Sequence, residues 1–186
     1  MHGFWIYDDY FTPFRNSVPD CCELAAEIAS TVGSWATWSG TQSSTLLSKG
    51  AFIFDELTRK PTTVRTPDVA FTSYQAQRIV DNFELWKHGG RPYTPTLVVE
   101  IDYLSGEHSQ LDVLDHKMRN QYFHHGVQLG WLIDPRLECR KMYEYKCNEA
   151  GEVYCVDNDQ WRDLDGGDVL PGLHISKIGL EMILDW

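Results

Sequence analysis

Apolar residues recur at helical spacing in three stretches of the chain. In Cys21–Val32 they fall four positions apart, which predicts a helix with one buried stripe that ends at Gly33. In Ser109–His125 apolar residues again follow helical spacing, and Gly126 comes directly after them. A third, short helix is predicted near Ile175–Leu184. The chain therefore contains helices near its start, middle and end.

Other stretches have the patterns of β-strands. Thr96–Ile101 and Gly130–Asp134 are nearly continuous apolar runs, as in strands that are covered on both faces. Val64–Phe71 is a further predicted strand, and its Pro67 indicates an edge or a bulge near the start. A hairpin is expected within residues 141–156.

The remaining segments predict short strands, loops and an arm. Ser34–Asp55 alternates between polar and apolar residues and predicts two or three short antiparallel strands. His88–Pro92 is typical of a loop, and for Tyr74–Leu85 a helix is one of the alternatives. Residues 1–18 predict an irregular N-terminal arm. We therefore expect a single α/β or α+β domain over residues 1–186, with a central mixed β-sheet flanked by α-helices.

Composition narrows the classes of partner. The formal net charge of −11 argues against general affinity for nucleic acid, where neutralisation of phosphates dominates binding, although it says nothing about local charge. No stretch reaches the roughly 18 apolar residues of a membrane span, so no membrane partner is expected.

The first residues lack the basic and apolar regions of a signal peptide, so we expect an intracellular, cytoplasmic protein. Five cysteines without a paired pattern predict free thiols.

One predicted strand carries an acid among apolar residues. Glu100 lies within Thr96–Ile101, where burial is costly unless the carboxylate is paired. Alternation puts Asp102 on the same face, and Asp68 lies on a separate strand upstream. If the two strands are neighbours, Asp68 and Glu100 can converge on one Mg²⁺ ion, which prefers one or two carboxylates plus waters. The simpler interpretation is that Asp68 caps a turn and Glu100 pairs with an arginine.

Lys117 lies near the centre of the second long helix without an acidic neighbour at helical spacing. The positions three and four residues away hold only neutral side chains, namely Val113, Leu114, Asn120 and Gln121. Because Lys117 also borders the apolar stripe, it is available to meet Glu100 or a substrate phosphate. Alternatively, its stem covers the core while its ammonium group reaches water.

Rival motifs fit the sequence less well. A calcium-binding loop that starts at Asp163 would need a glutamate at its twelfth position, which is His174. The histidines within Ser109–His125 lack the i, i+4 spacing of a helical zinc pair. A glycosidase could use two carboxylates, but it would leave Lys117 without a role.

Four segments together carry a family resemblance. RTPDVAF, LVVEI, DHKMRNQYFHHGVQLGWLIDP and GGDVLPGLHI resemble, in this order, the Uma-type restriction-endonuclease family, a branch of the PD-(D/E)XK nuclease superfamily. The resemblance implies a restriction-endonuclease-like core. It also implies Mg²⁺-dependent hydrolysis of phosphodiester bonds in DNA, with Mn²⁺ expected to substitute for Mg²⁺.

The resemblance also implies the roles of three residues. Asp68 matches the aspartate of the PD motif and Glu100 matches the acid of (D/E)XK, so both are implied to be catalytic and to hold the metal. The superfamily's lysine position is occupied by Asp102. In this family Lys117, on the following helix, matches the lysine that has moved, and it is the third implied catalytic residue.

Five accessory candidates remain open. Asp102 is either a third metal ligand or a charge that weakens the site. Gln121 and Tyr122 follow Lys117 on the same helix, and the first helix offers a further acid as either Glu23 or Glu27.

Two functions from different classes follow. The first is a DNA endonuclease, for which double-strand cleavage by a protein with one site would favour a homodimer. The second is a catalytically inactive nuclease-fold module that binds DNA or a protein partner. Asp102 at the lysine position and the acidic net charge support this second function.

Overall fold

The computed structural model describes residues 4–7, 10–13, 19–40, 43–47, 52–53, 63–73, 87–88, 91–92, 94–156 and 159–185. The described helices are α1 (Pro19–Trp38), α2 (Leu111–Lys117) and α3 (Lys177–Leu184). Helix α2 continues through a π-helical turn (Met118–Tyr122) into a 3₁₀ turn (Phe123–His125). The strands are β1 (Phe4–Tyr7), β2 (Tyr10–Pro13), β3 (Ser43–Leu47), β4 (Phe52–Ile53), β5 (Thr63–Arg65), β6 (Val69–Ser73), β7 (Lys87–His88), β8 (Arg91–Pro92), β9 (Leu97–Ile101), β10 (Leu129–Asp134), β11 (Lys141–Cys147), β12 (Val153–Cys155), β13 (Leu164–Asp165) and β14 (His174–Ile175).

A six-stranded mixed sheet forms the centre of the molecule. Its strand order is β12-β11-β10-β9-β6-β3, and β9 and β10 are parallel while the other neighbours are antiparallel. Parallel neighbours need a crossover connection, and α2 with its continuation supplies it. The expected mixed sheet flanked by helices is confirmed, as are the strands at Thr96–Ile101 and Gly130–Asp134 and the hairpin within residues 141–156.

Strand alternation divides the core between the two faces of this sheet. Val99 and Trp131 belong to the apolar cluster that includes the buried stripe of α1. Val98 and Leu132, one position away on the same strands, belong to the cluster of α2 and the π-helical turn. Because Glu100 has the parity of Val98, its side chain lies on the α2 face.

A second sheet has the strand order β2-β1-β5-β4 and shares one chain segment with the first. The stretch predicted as one strand over Val64–Phe71 is in fact two strands, β5 and β6, which belong to different sheets. The break comes at Thr66–Asp68, where Pro67 lacks the N–H that a continuous ladder would need. Asp68 therefore lies directly before the first residue of β6.

Helix α1 is longer than its sequence pattern predicted. Gly33 does not end it, and Trp35 to Trp38, predicted to begin a strand region, form its last turn. The four-residue stripe continues with Ala36, which is buried in the same cluster, so continued burial outweighs the low helix propensity of one glycine. Trp35 also packs edge-on against Phe71, at 5.5 Å between ring centroids.

Two other expectations are corrected, and the predicted middle helix is confirmed with a different geometry in its last turns. Residues within the predicted irregular arm form an antiparallel hairpin of β1 and β2. This hairpin joins the second sheet, because β1 also pairs with β5. The predicted loop at His88–Pro92 contains the paired strands β7 and β8. The predicted helix over Ser109–His125 is α-helical only as far as Lys117, although Gly126 does end it, with a left-handed φ of 106°.

Two expectations are left without such a test. The stretch Tyr74–Leu85 lies outside the described residues, and the single-domain organisation stays a prediction. Within the described part of the chain, no helix combines the length and apolar character that crossing a membrane requires.

Candidate active site

Glu100 and Lys117 form a buried ion pair. Glu100 is on β9, in the interior of the sheet, and only 6 % of its surface is exposed. Lys117 is the last residue of α2, is equally buried, and its Nζ lies 2.6 Å from Oε1 of Glu100. The partner that makes burial of the acid tolerable is thus Lys117 and not an arginine. Lys117 belongs to the core side of its helix and does not reach outward to water.

Tyr122 donates a second hydrogen bond to the same carboxylate oxygen. Its hydroxyl is 2.5 Å from Oε1 of Glu100, and the Lys117 ammonium lies 5.3 Å from the centroid of its ring. Burial, followed by the charge of Glu100, raises the pKa of Tyr122 well above its usual range. The phenol therefore stays protonated and acts as a donor.

Asp68 reaches the same place from the neighbouring strand. The antiparallel register pairs Val69 with Val99, and one further step places Asp68 opposite Glu100. Oδ2 of Asp68 accepts a hydrogen bond of 2.7 Å from the main-chain N–H of Ile101. Asp68 is thus bonded across two strands and does not cap a turn.

The pKa of Asp68 is raised to about 7. Burial is the largest cause and the negative charge of Glu100 is the next, while the Ile101 N–H and Lys117 act in the opposite direction. A cation bound between Asp68 and Glu100 would favour the ionised form of Asp68, because it would offset burial and the neighbouring negative charge.

The oxygen atoms of this pair fit a divalent cation. Oε2 of Glu100 and Oδ1 of Asp68 accept no hydrogen bond from the residues that the structure describes. Mg²⁺ takes one or two carboxylates and completes its shell with waters and substrate oxygens. Since the described residues contain no group of three or more His, Cys, Asp or Glu side chains suited to a metal, such an ion would depend on these outside ligands.

Asp102 lies next to the pair without joining it as a third ligand. Its Oδ1 accepts a hydrogen bond of 2.7 Å from the N–H of Tyr103, directly after the strand. Its negative charge also raises the pKa of Asp68, by less than burial and the charge of Glu100 do. Asp102 therefore acts on the site through charge.

The acids of α1 are on the other face of the sheet. Glu23 is exposed, and Glu27 accepts a hydrogen bond of 3.4 Å from Thr31. Because α1 packs against the face opposite Glu100, the structure brings neither acid to Glu100.

A buried arginine that the sequence did not single out lies beside the site. Arg65, at the end of β5, donates from Nε to Oε1 of Gln121 at 2.6 Å, and both side chains are buried. Arg65 is also close enough to Tyr122 to lower the pKa of that phenol in part. In the sequence, the one indication of a role for Arg65 was its position three residues before Asp68. Its acceptor, Gln121, is 56 positions away, so the pairing could not be predicted from the sequence.

The segment after β9 is held by a second buried acid. Asp134, fully buried at the end of β10, accepts hydrogen bonds from the N–H of Leu104 at 2.8 Å and from Arg136 at 2.5 Å. Arg136 also bonds Ser105 and stacks over the ring of Tyr103, 4.2 Å from its centroid. Asp134 thereby fixes the chain where it leaves Glu100 and Asp102.

Comparisons with known proteins agree with this geometry. The model of the Uma2 family, described as "Putative restriction endonuclease", matches residues 23–177. A crystal structure titled as a putative nuclease belonging to DUF820, from Anabaena variabilis ATCC 29413, superimposes with a TM-score of 0.64 at 18 % identity, over 97 % of this chain and 90 % of that one. The core is thus α+β and nuclease-like in fold. No curated protein matches the chain.

Proposed function

The chain belongs to the Uma2 family, and from that premise we propose that it is a nuclease that hydrolyses DNA internally with the help of Mg²⁺. The family's description supports a nuclease in general. The words "restriction endonuclease" in that description support DNA as the substrate and internal cleavage as the reaction. The choice of Mg²⁺ is supported by the carboxylates of Asp68 and Glu100.

One observation carries the proposal. A lysine ammonium lies 2.6 Å from the carboxylate of Glu100, and a second carboxylate, Asp68, lies directly before the neighbouring strand β6, opposite Glu100. Each carboxylate has one oxygen without a hydrogen bond from the described part of the chain, which suits a hard cation. An adjacent ammonium is suited to an anionic substrate. A structural ion pair alone would not need Asp68, whose ionisation is disfavoured at this position.

The residues would divide the chemistry as follows. Asp68 and Glu100 would hold Mg²⁺, which when bound supplies Lewis acidity and lowers the pKa of a coordinated water. Lys117 donates hydrogen bonds to the phosphate oxygens as negative charge develops there, an electrostatic contribution that grows in a site with little water. A protein with one such site per chain would need two copies to cut both strands.

The direct test is cleavage of supercoiled plasmid DNA with Mg²⁺ or Mn²⁺. We expect Glu100→Gln and Lys117→Met to lower the cleavage rate by at least about 100-fold, because each removes a charge from the site. The matched control is Glu144→Gln: Glu144 is also buried and pairs with a lysine, Lys146, at 2.7 Å, but its strand position faces Trp131 on the α1 side. Cleavage that survives Glu100→Gln, or an inactive wild type, would contradict the proposal.

A second candidate is a catalytically inactive module of this fold that binds DNA or a protein. The net charge of −11 and the charge of Asp102 beside Asp68 favour it. Calorimetry with Mn²⁺ separates the two functions. Stoichiometric binding that Asp68→Ala abolishes supports the nuclease, whereas a wild type that binds no metal supports the module.

A further inference from the structure

Two donors converge on a single oxygen of Glu100. The Lys117 ammonium is 2.6 Å and the Tyr122 hydroxyl 2.5 Å from Oε1, whereas Oε2 accepts no hydrogen bond from the described residues. A carboxylate that is held by two donors on one oxygen cannot rotate about its terminal bond without breaking both bonds. The two oxygens of Glu100 are therefore not equivalent: Oε1 is fixed by two donors, and Oε2 is available to a ligand.

The π-helical turn makes this convergence geometrically feasible. Lys117 and Tyr122 are five positions apart, and in an α-helix of 3.6 residues per turn they would point about 140° away from each other. Here the N–H of Phe123 bonds to the carbonyl of Met118, five positions back, which widens the turn and brings Tyr122 round towards Lys117. A local departure from α-helical geometry thus delivers the second donor.

Packing fixes the donor itself. Tyr122 is fully buried in the apolar cluster that includes Ala70, Val98 and Leu114, and these residues come from β6, β9 and α2. A fully buried phenol in a packed cluster can adopt few orientations, and its hydroxyl is directed at Glu100 in the structure without ligand.

We infer that Tyr122 is a positioning residue, which by its bond to Oε1 directs the other oxygen of Glu100 towards the cation shared with Asp68. The inference rests on the proposed metal site. Tyr122 acts through Glu100 and does not touch the metal or the DNA. Removing a hydrogen-bond partner of a ligating carboxylate commonly weakens metal binding or activity about 10- to 100-fold.

The experiment compares two buried tyrosines. Tyr122→Phe removes the hydroxyl that bonds Glu100. Tyr145→Phe removes the hydroxyl of a second buried tyrosine, which donates to Asp115 at 2.8 Å through a partly buried bond. For each variant, Mn²⁺ binding to metal-free protein is measured by calorimetry, and plasmid cleavage is followed against Mn²⁺ concentration. We expect Tyr122→Phe to weaken Mn²⁺ binding about tenfold or more while most of the cleavage rate returns at saturating Mn²⁺. Tyr145→Phe should leave both quantities near the wild-type values.

If the wild type binds Mn²⁺, two outcomes overturn the inference. One is equal Mn²⁺ affinity in the two variants. The other is lost cleavage in Tyr122→Phe at saturating Mn²⁺ with unchanged affinity, which would place Tyr122 at the reacting atoms. A wild type that binds Mn²⁺ without cutting DNA contradicts the proposed nuclease, and calorimetry still decides the role of Tyr122. A wild type that binds no Mn²⁺ overturns both.

A second measurement serves if Tyr122→Phe does not fold. 3-Fluorotyrosine placed at position 122 keeps the ring and the hydroxyl, and its fluorine resonance is recorded as Mg²⁺ is added. We expect a shift that saturates as Mg²⁺ is added, and no shift for the same label at position 145. An unchanged resonance at position 122 overturns the inference.

Discussion

At the scale of single residues, the buried carboxyl group of Asp68 links the stability of the fold to pH. Its carboxyl group has a pKa of about 7 in the folded protein, raised chiefly by burial, against 3.8 as the ordinary value. The native state thus holds this proton more tightly than the unfolded chain does. Without metal, the free energy of unfolding therefore falls as the pH rises from about 4 to about 7, and stays at the lower value above pH 7.

Neutralising Asp68 should consequently stabilise the metal-free protein. We expect Asp68→Asn to raise the free energy of unfolding by roughly 2–4 kcal/mol at pH 8, with a gain that shrinks as the pH falls towards 4. Urea unfolding in the presence of EDTA at pH 8 and pH 4.5 measures this difference. The exposed Asp168→Asn is the control and should show no such trend. An equal effect of Asp68→Asn at both pH values would contradict the assignment.

The sequence pointed to the charged residues of the site through conflicts with their surroundings. Glu100 stood out as an acid in an apolar strand, and Lys117 as a lysine without an acid at helical spacing. Each conflict is resolved by the other residue, at 2.6 Å. Arg65 gave no comparable signal, because it precedes a turn where arginine is unremarkable, and its bond to Gln121 depends on tertiary contact.

At the scale of elements, the helix that carries Lys117 comes very close to the neighbouring strand. A Cβ atom on Gly130 of β10 would lie 2.9 Å from Sδ of Met118 and 3.0 Å from a ring carbon of Phe123. Both neighbours belong to the turns that continue α2. The absence of a side chain at Gly130 therefore sets how deeply the π-helical turn packs onto the sheet.

Adding a methyl group at Gly130 should displace this turn. We expect Gly130→Ala to lower the free energy of unfolding by roughly 1–3 kcal/mol through overpacking, and to lower cleavage as well because Lys117 and Tyr122 move with the turn. Thermal unfolding measures the first effect. The control is Gly179→Ala in α3, where nothing lies within 4 Å of the new Cβ and helix propensity favours alanine. Equal melting temperatures for Gly130→Ala and the wild type would contradict this packing argument.

Periodicity predicted where this helix lies but not its internal geometry. Apolar spacing over Ser109–His125 predicts a helix, but it does not distinguish a π-helical turn from an α-helical one. The same limit applies at Gly33, where a local stop signal was overruled by burial of the following turn of α1. In both places long-range packing decides the backbone.

At the scale of the whole molecule, the site joins segments that are distant in sequence. Glu100, Lys117 and Tyr122 come from one strand–helix–strand unit, and the sequence displayed that unit clearly. Asp68 is brought to Glu100 by the antiparallel pairing of β6 with β9. The sequence was compatible with this pairing but did not determine which strands are neighbours. The role of Asp134, which ties the end of β10 to the segment after β9, also depends on strand order and could not be read from its position before Pro135.

The bond from Ile101 to Asp68 has a consequence for the exchange of amide protons with solvent. The N–H of Ile101 donates to a side-chain oxygen, whereas the N–H of Asp102, one residue later, donates to the main-chain carbonyl of Ile133 at 3.1 Å. Protection of the Ile101 amide thus depends on one carboxyl group, and protection of its neighbour does not.

Hydrogen–deuterium exchange followed by NMR should reveal this dependence. We expect Asp68→Ala to speed exchange at Ile101 by tenfold or more, on the order of the loss of one hydrogen bond, while the Asp102 amide keeps its rate. Asp68→Asn retains an acceptor oxygen and should largely preserve the protection at Ile101. Parallel changes at both amides would mean that the strand opens as a unit. If only the Ile101 amide changes, its exchange rate reports whether Asp68 is bonded across to β9, in the absence of metal and substrate.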